Sequence, residues 1–218
     1  MKPHFFNEND INLCEFKDLC SQKISKTNYP FCSSIKKKVV IYKGEQIRSI
    51  INSSKSFELK SELHHCLKEG PGVLIIQRAF LQKRTIDKAT EIFLGIIKKE
   101  KENAIHHGDH FARPGQNERL WNSLQKLCEI DPKTFISYYE NPILRFLSEA
   151  WLGPFFQITS QVNIVKPGAN AQEPHRDYHL GFQENSFVSK FPISSQILSQ
   201  FLTLQGAIAH TDMGISSG

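Results

Sequence analysis

The sequence predicts an α+β domain in which helices pack outside a sheet or barrel. Three observations lead there. From residue 56 to residue 151 the apolar side chains recur at helical spacing. After residue 155 the repeat switches to every second residue. The change runs one way, helices first and strands after, which implies an α+β domain. At 218 residues the chain suits one domain, or one domain with an N-terminal extension. A hydrophobic content of 39% against 22% charged residues, with 16 Phe, supports a folded core of large aromatic volume.

Residues 1–55 read as a basic, loosely organised N-terminal segment. Within it, Leu13, Phe16 and Leu19 mark a short amphipathic helix, residues 25–34 (SKTNYPFCSS) read as turns, and Lys38–Tyr42 (KVVIY) as a short strand. The domain proper is expected over residues 56–218. Ser56 can cap a helix over 57–69, with Leu59, Leu63 and Leu67 on one face and Gly70 as its stop. Val73–Gln77 (VLIIQ) reads as a buried strand. Residues 86–102 read as a helix, with Ile86, Ala89, Phe93, Ile96 and Ile97 on its apolar side. Residues 106–117 (HHGDHFARPGQN) break all periodicity. Three helices are expected next, over about 118–129, 132–140 and 142–151. The last two share a start, Asp131-Pro132 and Asn141-Pro142, in which a side-chain cap precedes proline at the first helical position. Phe155–Val165 (FFQITSQVNIV) then alternates: Ile158, Val162 and Ile164 point one way and Gln157, Thr159, Gln161 and Asn163 the other. Lys166–Asn170 is a turn, His175–His179 is extended, and Phe201–His210 (FLTLQGAIAH) is a further strand.

The net charge of +5 is a property of the N-terminal segment: residues 1–60 carry 11 Lys and Arg against 6 Asp and Glu, and the rest is balanced. Only Lys36-Lys37-Lys38 forms a run, and no RNA-binding aromatic motif accompanies it, so a solvated face is expected and no nucleic-acid partner. No apolar run approaches the length of a membrane span, and no membrane partner is expected. The five Cys residues are odd in number and include no C-x-x-C pair. Reduced thiols and a cytoplasmic location are the expectation.

The chemistry centres on His175-Arg176-Asp177. On an extended backbone, residues two apart share a face, so an imidazole and a carboxylate would converge on one point. They make two thirds of a 2-His-1-carboxylate triad, which leaves coordination positions of Fe(II) open for a co-substrate and oxygen. An H-x-D alone carries little information, and the chain has another at His210-Thr211-Asp212. Context separates the two. The first follows a strand with a polar face, which either meets solvent or lines a cavity for a carboxylate-bearing ligand.

The segments TSQVNIVKPGANAQEPHRDYHLGFQ and LTLQGAIAHTDMGISSG resemble the phytanoyl-CoA dioxygenase-like family of Fe(II)/2-oxoglutarate-dependent oxygenases. Looser likeness extends upstream through GPGVLII, GDHFARPGQNERLWN and YYENPILRFLSEAWLGP. The resemblance implies a double-stranded β-helix, a jelly-roll relative of the cupins, with the helices flanking it on the N-terminal side. It implies His175 and Asp177 as iron ligands, and Asn163 with Gln161 near 2-oxoglutarate. Gln157, Asp109, His110, Arg113 and His179 are candidate contacts to a small organic substrate. The implied activity couples conversion of 2-oxoglutarate to succinate with hydroxylation of that substrate. The family's third ligand, a His, and an Arg for the far carboxylate of 2-oxoglutarate follow the S-G turn at which this chain ends. The expectation is therefore a jelly roll incomplete at the C-terminus, a fragment of the complete enzyme. Arg119 and Trp121 are expected on a helix, Trp121 as a packing residue, and His210 as a packing or surface residue. Two rival readings are an inactive truncated remnant acting at most as a binding module, and a cupin-like metal enzyme of another class. The second would favour an H-x-H, which is absent.

Overall fold

The computed structural model describes residues 3–6, 10, 12–103, 117–169, 177–181 and 183–214. The chain divides into two units. One comprises Met1–Ala79, Arg145–Phe156 and His175–Gly206; the other comprises Phe80–Leu144, Gln157–Pro174 and Ala207–Gly218.

In the first unit, α1 (Leu13–Ser21) is capped by Asn12, whose side chain accepts from the backbone N–H groups of Cys14 and Glu15. Its apolar residues Leu13, Phe16 and Leu19 are all exposed. A three-stranded sheet follows, β1 (Ser34–Lys36), β2 (Val39–Lys43) and β3 (Leu74–Gln77), with β2 in the middle. β1 and β2 form a hairpin, and Lys37 and Lys38 at its tip both have positive φ, the backbone that a tight two-residue hairpin requires. β2 pairs in parallel with β3, Val40 opposite Leu74 through Lys43 opposite Gln77. The connection between them holds α2 (Gly44–Ile51) and α3 (Ser56–Lys68). Val40, Tyr42, Ile47, Leu59, Leu63 and Cys66 close the core here, each at most 2% exposed. Each such aliphatic side chain contributes about 1.5–3 kcal/mol of burial.

Two glycines are dictated by space. A Cβ on Gly44 would lie 2.2 Å from the carbonyl oxygen of Arg78, and one on Gly70 would lie 2.3 Å from the Tyr29 hydroxyl. Glu62 is buried among these elements. Its carboxylate accepts from the Tyr42 hydroxyl at 2.9 Å and from the Phe31 backbone N–H at 3.0 Å. Burial raises its pKa, and burial beside Glu62 pushes the Cys66 thiol up to about 12. α8 (Asn185–Val188) and α9 (Ile193–Gln200) also belong to this unit.

In the second unit, α4 (Lys83–Glu102) lays Ala89, Phe93, Ile96 and Ile97 into a core completed by Leu120, Leu127 and Tyr138. Tyr138 lies on α6 (Pro132–Tyr139), and Leu127 on α5 (Ser123–Ile130). Asp131 caps α6 by accepting from the Thr134 N–H at 3.0 Å. Asn141 does the same at the start of α7 (Pro142–Leu152) through the Ile143 N–H at 2.9 Å, and α7 from Arg145 on belongs to the first unit. A two-stranded antiparallel sheet, β4 (Asn117–Leu120) with β5 (Val162–Val165), covers this core. Val162 and Ile164 pack against it.

Several expectations are corrected. Residues 118–120, expected as the start of a helix, are strand β4. The left-handed backbone of Asn122 (φ 52°) separates them from α5, and pairing with β5 overrides the helix propensity of Glu-Arg-Leu. The long strand expected over 155–165 shrinks to Val162–Val165. Gly153 and Phe155 have positive φ on either side of Pro154, and β4 offers only four residues to pair with. No strand forms over 201–210: Phe201 ends α9, and the residues that follow bond through side chains instead of a ladder. β3, expected to be buried, is an edge strand with Ile75 exposed. α2, α8 and α9 and strand β1 were not expected. Among the described residues the sheets are small and no barrel closes; the α+β class stands.

Candidate functional site

Asp177 is half-buried, and its backbone carbonyl accepts from the Thr203 hydroxyl at 3.0 Å. The chain does not stay extended to His179. Tyr178 to Gly181 is a turn closed by the Gly181 N–H on the Tyr178 carbonyl at 2.8 Å, drawn in by Leu180, which is 3% exposed. His179 is exposed, its ring edge-on to Tyr178. His175 lies outside the described residues, as do Asp109, His110 and Arg113.

In the other unit, Gln157, Gln161 and Asn163 are all exposed. On β5 the expected alternation holds: Val162 and Ile164 turn to the core, Asn163 and Val165 away. Register then places two buried polar residues on the same side as Asn163. Arg119 is opposite Asn163 and Asn117 opposite Val165, and cross-strand partners share a face. Arg119 is 7% exposed, and its guanidinium lies over the Trp121 ring, 4.8 Å from the centroid. A buried guanidinium stacked on an indole is well suited to receive a carboxylate, because less water must be removed than from an ammonium. Sequence reasoning missed this residue by placing it on a helix. The signal available was the four-residue stretch Asn-Glu-Arg-Leu, too short to reveal a period of two.

His210, also an H-x-D histidine, is occupied by packing. The Thr90 hydroxyl donates its single proton to the Ile86 carbonyl at 2.7 Å. It therefore accepts from His210 Nδ1, also at 2.7 Å, and Nε2 is left to accept from the Tyr138 hydroxyl at 2.7 Å. The ring is a neutral Nδ1–H tautomer among Phe93 and Tyr138, and burial lowers its pKa.

A family profile described as phytanoyl-CoA dioxygenase (PhyH) matches residues 59–218, well over half of the chain. The chain belongs to the phytanoyl-CoA dioxygenase family. No curated protein and no solved structure matches it. Members of the phytanoyl-CoA dioxygenase family are Fe(II)/2-oxoglutarate-dependent oxygenases, oxidoreductases acting on small molecules. Among the described residues no group of three or more His, Cys, Asp or Glu side chains could hold a metal. Among them, too, no helix is long and apolar enough to cross a membrane.

Proposed function

We propose that this phytanoyl-CoA dioxygenase-family protein is an Fe(II)- and 2-oxoglutarate-dependent dioxygenase that hydroxylates a small organic substrate. In this reading the oxygenase domain, a double-stranded β-helix, spans residues 56 onward, in keeping with a family match that starts at residue 59, and residues 1–55 precede it, with β1, β2 and α2 packed in the same unit as α3 and β3. The observation that carries the function is the family match over residues 59–218, and the buried Arg119 set opposite Asn163 on one face of the β4–β5 ladder supports it. A cation and an amide side by side on one strand pair are what recognition of an oxo-acid carboxylate requires.

The donor chemistry fits ferrous iron. His175 offers an imidazole and Asp177 a carboxylate, ligand types that leave open positions on a divalent iron and suit it better than the thiolates zinc often takes. His175 and Asp177 would hold the metal, which when bound supplies the oxidising chemistry of the reaction. Asn163 and Gln161, with Arg119, would orient 2-oxoglutarate by charge-assisted hydrogen bonds. The Thr203 hydroxyl on the Asp177 carbonyl fixes the backbone that presents the carboxylate. Gln157, His179, Asp109, His110 and Arg113 are the proposed substrate contacts.

The test is succinate formation by the natural protein with Fe(II), 2-oxoglutarate and candidate substrates, read by mass spectrometry. His175→Ala is expected to lower turnover by more than about 100-fold, as loss of a metal ligand or its support does. Turnover untouched by that substitution removes the ligand assignment, and no succinate from the intact protein under any substrate removes the function.

A further inference from the structure

We infer that Glu118 is a positioning residue: by gathering Lys101 and Lys166 on the core side of β4, it sets the placement of Arg119 and Asn163 on the opposite side. The role assigned to those two rests on the function proposed above; the geometry of the ion cluster does not.

The ladder that carries Arg119 is four residue pairs long, and an isolated two-stranded sheet is marginal in water. Something beyond its own hydrogen bonds must hold it. Leu120, Val162 and Ile164 pack on the core. Glu118 points the same way as Leu120, since residues two apart on a strand share a face. Its side chain is only 12% exposed, and it pairs with Lys101 from the last turn of α4 and, at 2.6 Å, with Lys166, the first residue after β5. One carboxylate thus ties a helix end, one strand and the exit of its partner strand. Burial acts to raise the Glu118 pKa, but hydrogen bonds from both lysines outweigh it and hold the carboxyl below the usual range.

Isolated surface pairs contribute little, but this one differs in what its loss leaves behind. Without the negative charge, two ammonium groups converge on one point and repel. They sit on different elements and their side chains, 43% and 40% exposed, turn out to water, so the tie between α4, β4 and the β5 exit is released. Arg119 is the next residue along β4 and moves with it, and Trp121, stacked on Arg119, reports that movement. Lys166 also opens the K-P-G turn that precedes His175 in sequence.

The experiment uses the natural protein carrying Trp151→Phe, so that fluorescence comes from Trp121. Glu118→Gln keeps the shape and removes the charge. The expected result is a changed Trp121 emission and greater acrylamide quenching, with a cooperative thermal transition retained. The KM for 2-oxoglutarate is expected to rise about tenfold with kcat little changed, the sign of lost binding and not of lost chemistry. Glu118→Gln with Lys166→Gln removes the repulsion as well and is expected to recover part of the Trp121 signal, a non-additivity that packing alone does not produce. Unchanged Trp121 emission in Glu118→Gln, or strictly additive effects in the double variant, overturns the inference. If the parent protein never turns over 2-oxoglutarate while Trp121 responds as expected, the proposed function fails and the positioning role of Glu118 stands.

Discussion

The H-x-D tripeptide occurs at His175-Arg176-Asp177, at His210-Thr211-Asp212 and, outside the described residues, at His107-Gly108-Asp109; the surroundings of the first two differ. Around the second, both ring nitrogens of the histidine are committed to Thr90 and Tyr138. A metal could bind His210 only by breaking a partly buried hydrogen bond. Around the first, Asp177 is anchored through its backbone carbonyl, at the edge of a turn. The difference teaches that a histidine two residues from an aspartate says little until the partners of the ring are known. A nitrogen that already holds a hydroxyl is structural.

The largest effect that tests this contrast is on stability. His210→Ala deletes the ring and leaves the Tyr138 hydroxyl and the Thr90 hydroxyl without it inside the core. The expected loss is about 2–4 kcal/mol in urea denaturation, with succinate formation per folded molecule unaffected. A stable His210→Ala protein that has lost activity would reverse the roles of the two histidines.

Metal linkage is expected to be smaller. Ferrous iron, or cobalt as an oxygen-stable substitute, binds the folded form and raises its stability by about 2.7 kcal/mol at a hundredfold excess over Kd. The rise should persist in His210→Gln and vanish in His175→Ala. A thermal shift that survives in His175→Ala places the metal elsewhere.

The pH dependence is smaller still and has a definite sign. The folded pKa of His210 lies below its ordinary value because burial opposes the charge. Its contribution is therefore complete above the unfolded pKa of about 6.5 and is lost as pH falls from there toward the folded value, because the unfolded chain takes up the proton first. The slope cannot exceed about 1.4 kcal/mol per pH unit for one proton. No other ionic side chain is needed to explain the shift. The groups packed on the ring are Thr90 and Phe93 from α4 and Tyr138 from α6, and the Tyr138 hydroxyl is itself held neutral by burial, which raises its pKa. His210→Gln should flatten the slope below about pH 6.5; an unchanged slope assigns it to another group.

The helices were the legible part of the fold. The apolar faces of α3 and α4 and the twin starts of α6 and α7 are local facts, written in side chains three or four residues apart and in Asp131-Pro132 and Asn141-Pro142. α2 and α9 were missed because eight residues leave barely two turns of periodicity and neither helix has the side-chain cap and first-turn proline that mark the equally short α6. The strands were harder. Phe155–Gln161 alternates as well as Val162–Val165 does, but β4 reaches only the second stretch. Alternation states which face would be apolar, and only a neighbour makes a strand.

The candidate site divides along the same line. Residue chemistry and order along the chain were enough to establish the family, the iron-ligand pair His175 and Asp177 as candidates, and an α+β class, because those depend on which groups are present and at what spacing. Arg119 beside Asn163, Glu118 between two lysines and His210 spent on Thr90 and Tyr138 depend on segments tens of residues apart coming together. Such long-range pairing leaves no periodic trace in one chain, since the burial free energy that selects it is shared among partners distant in sequence.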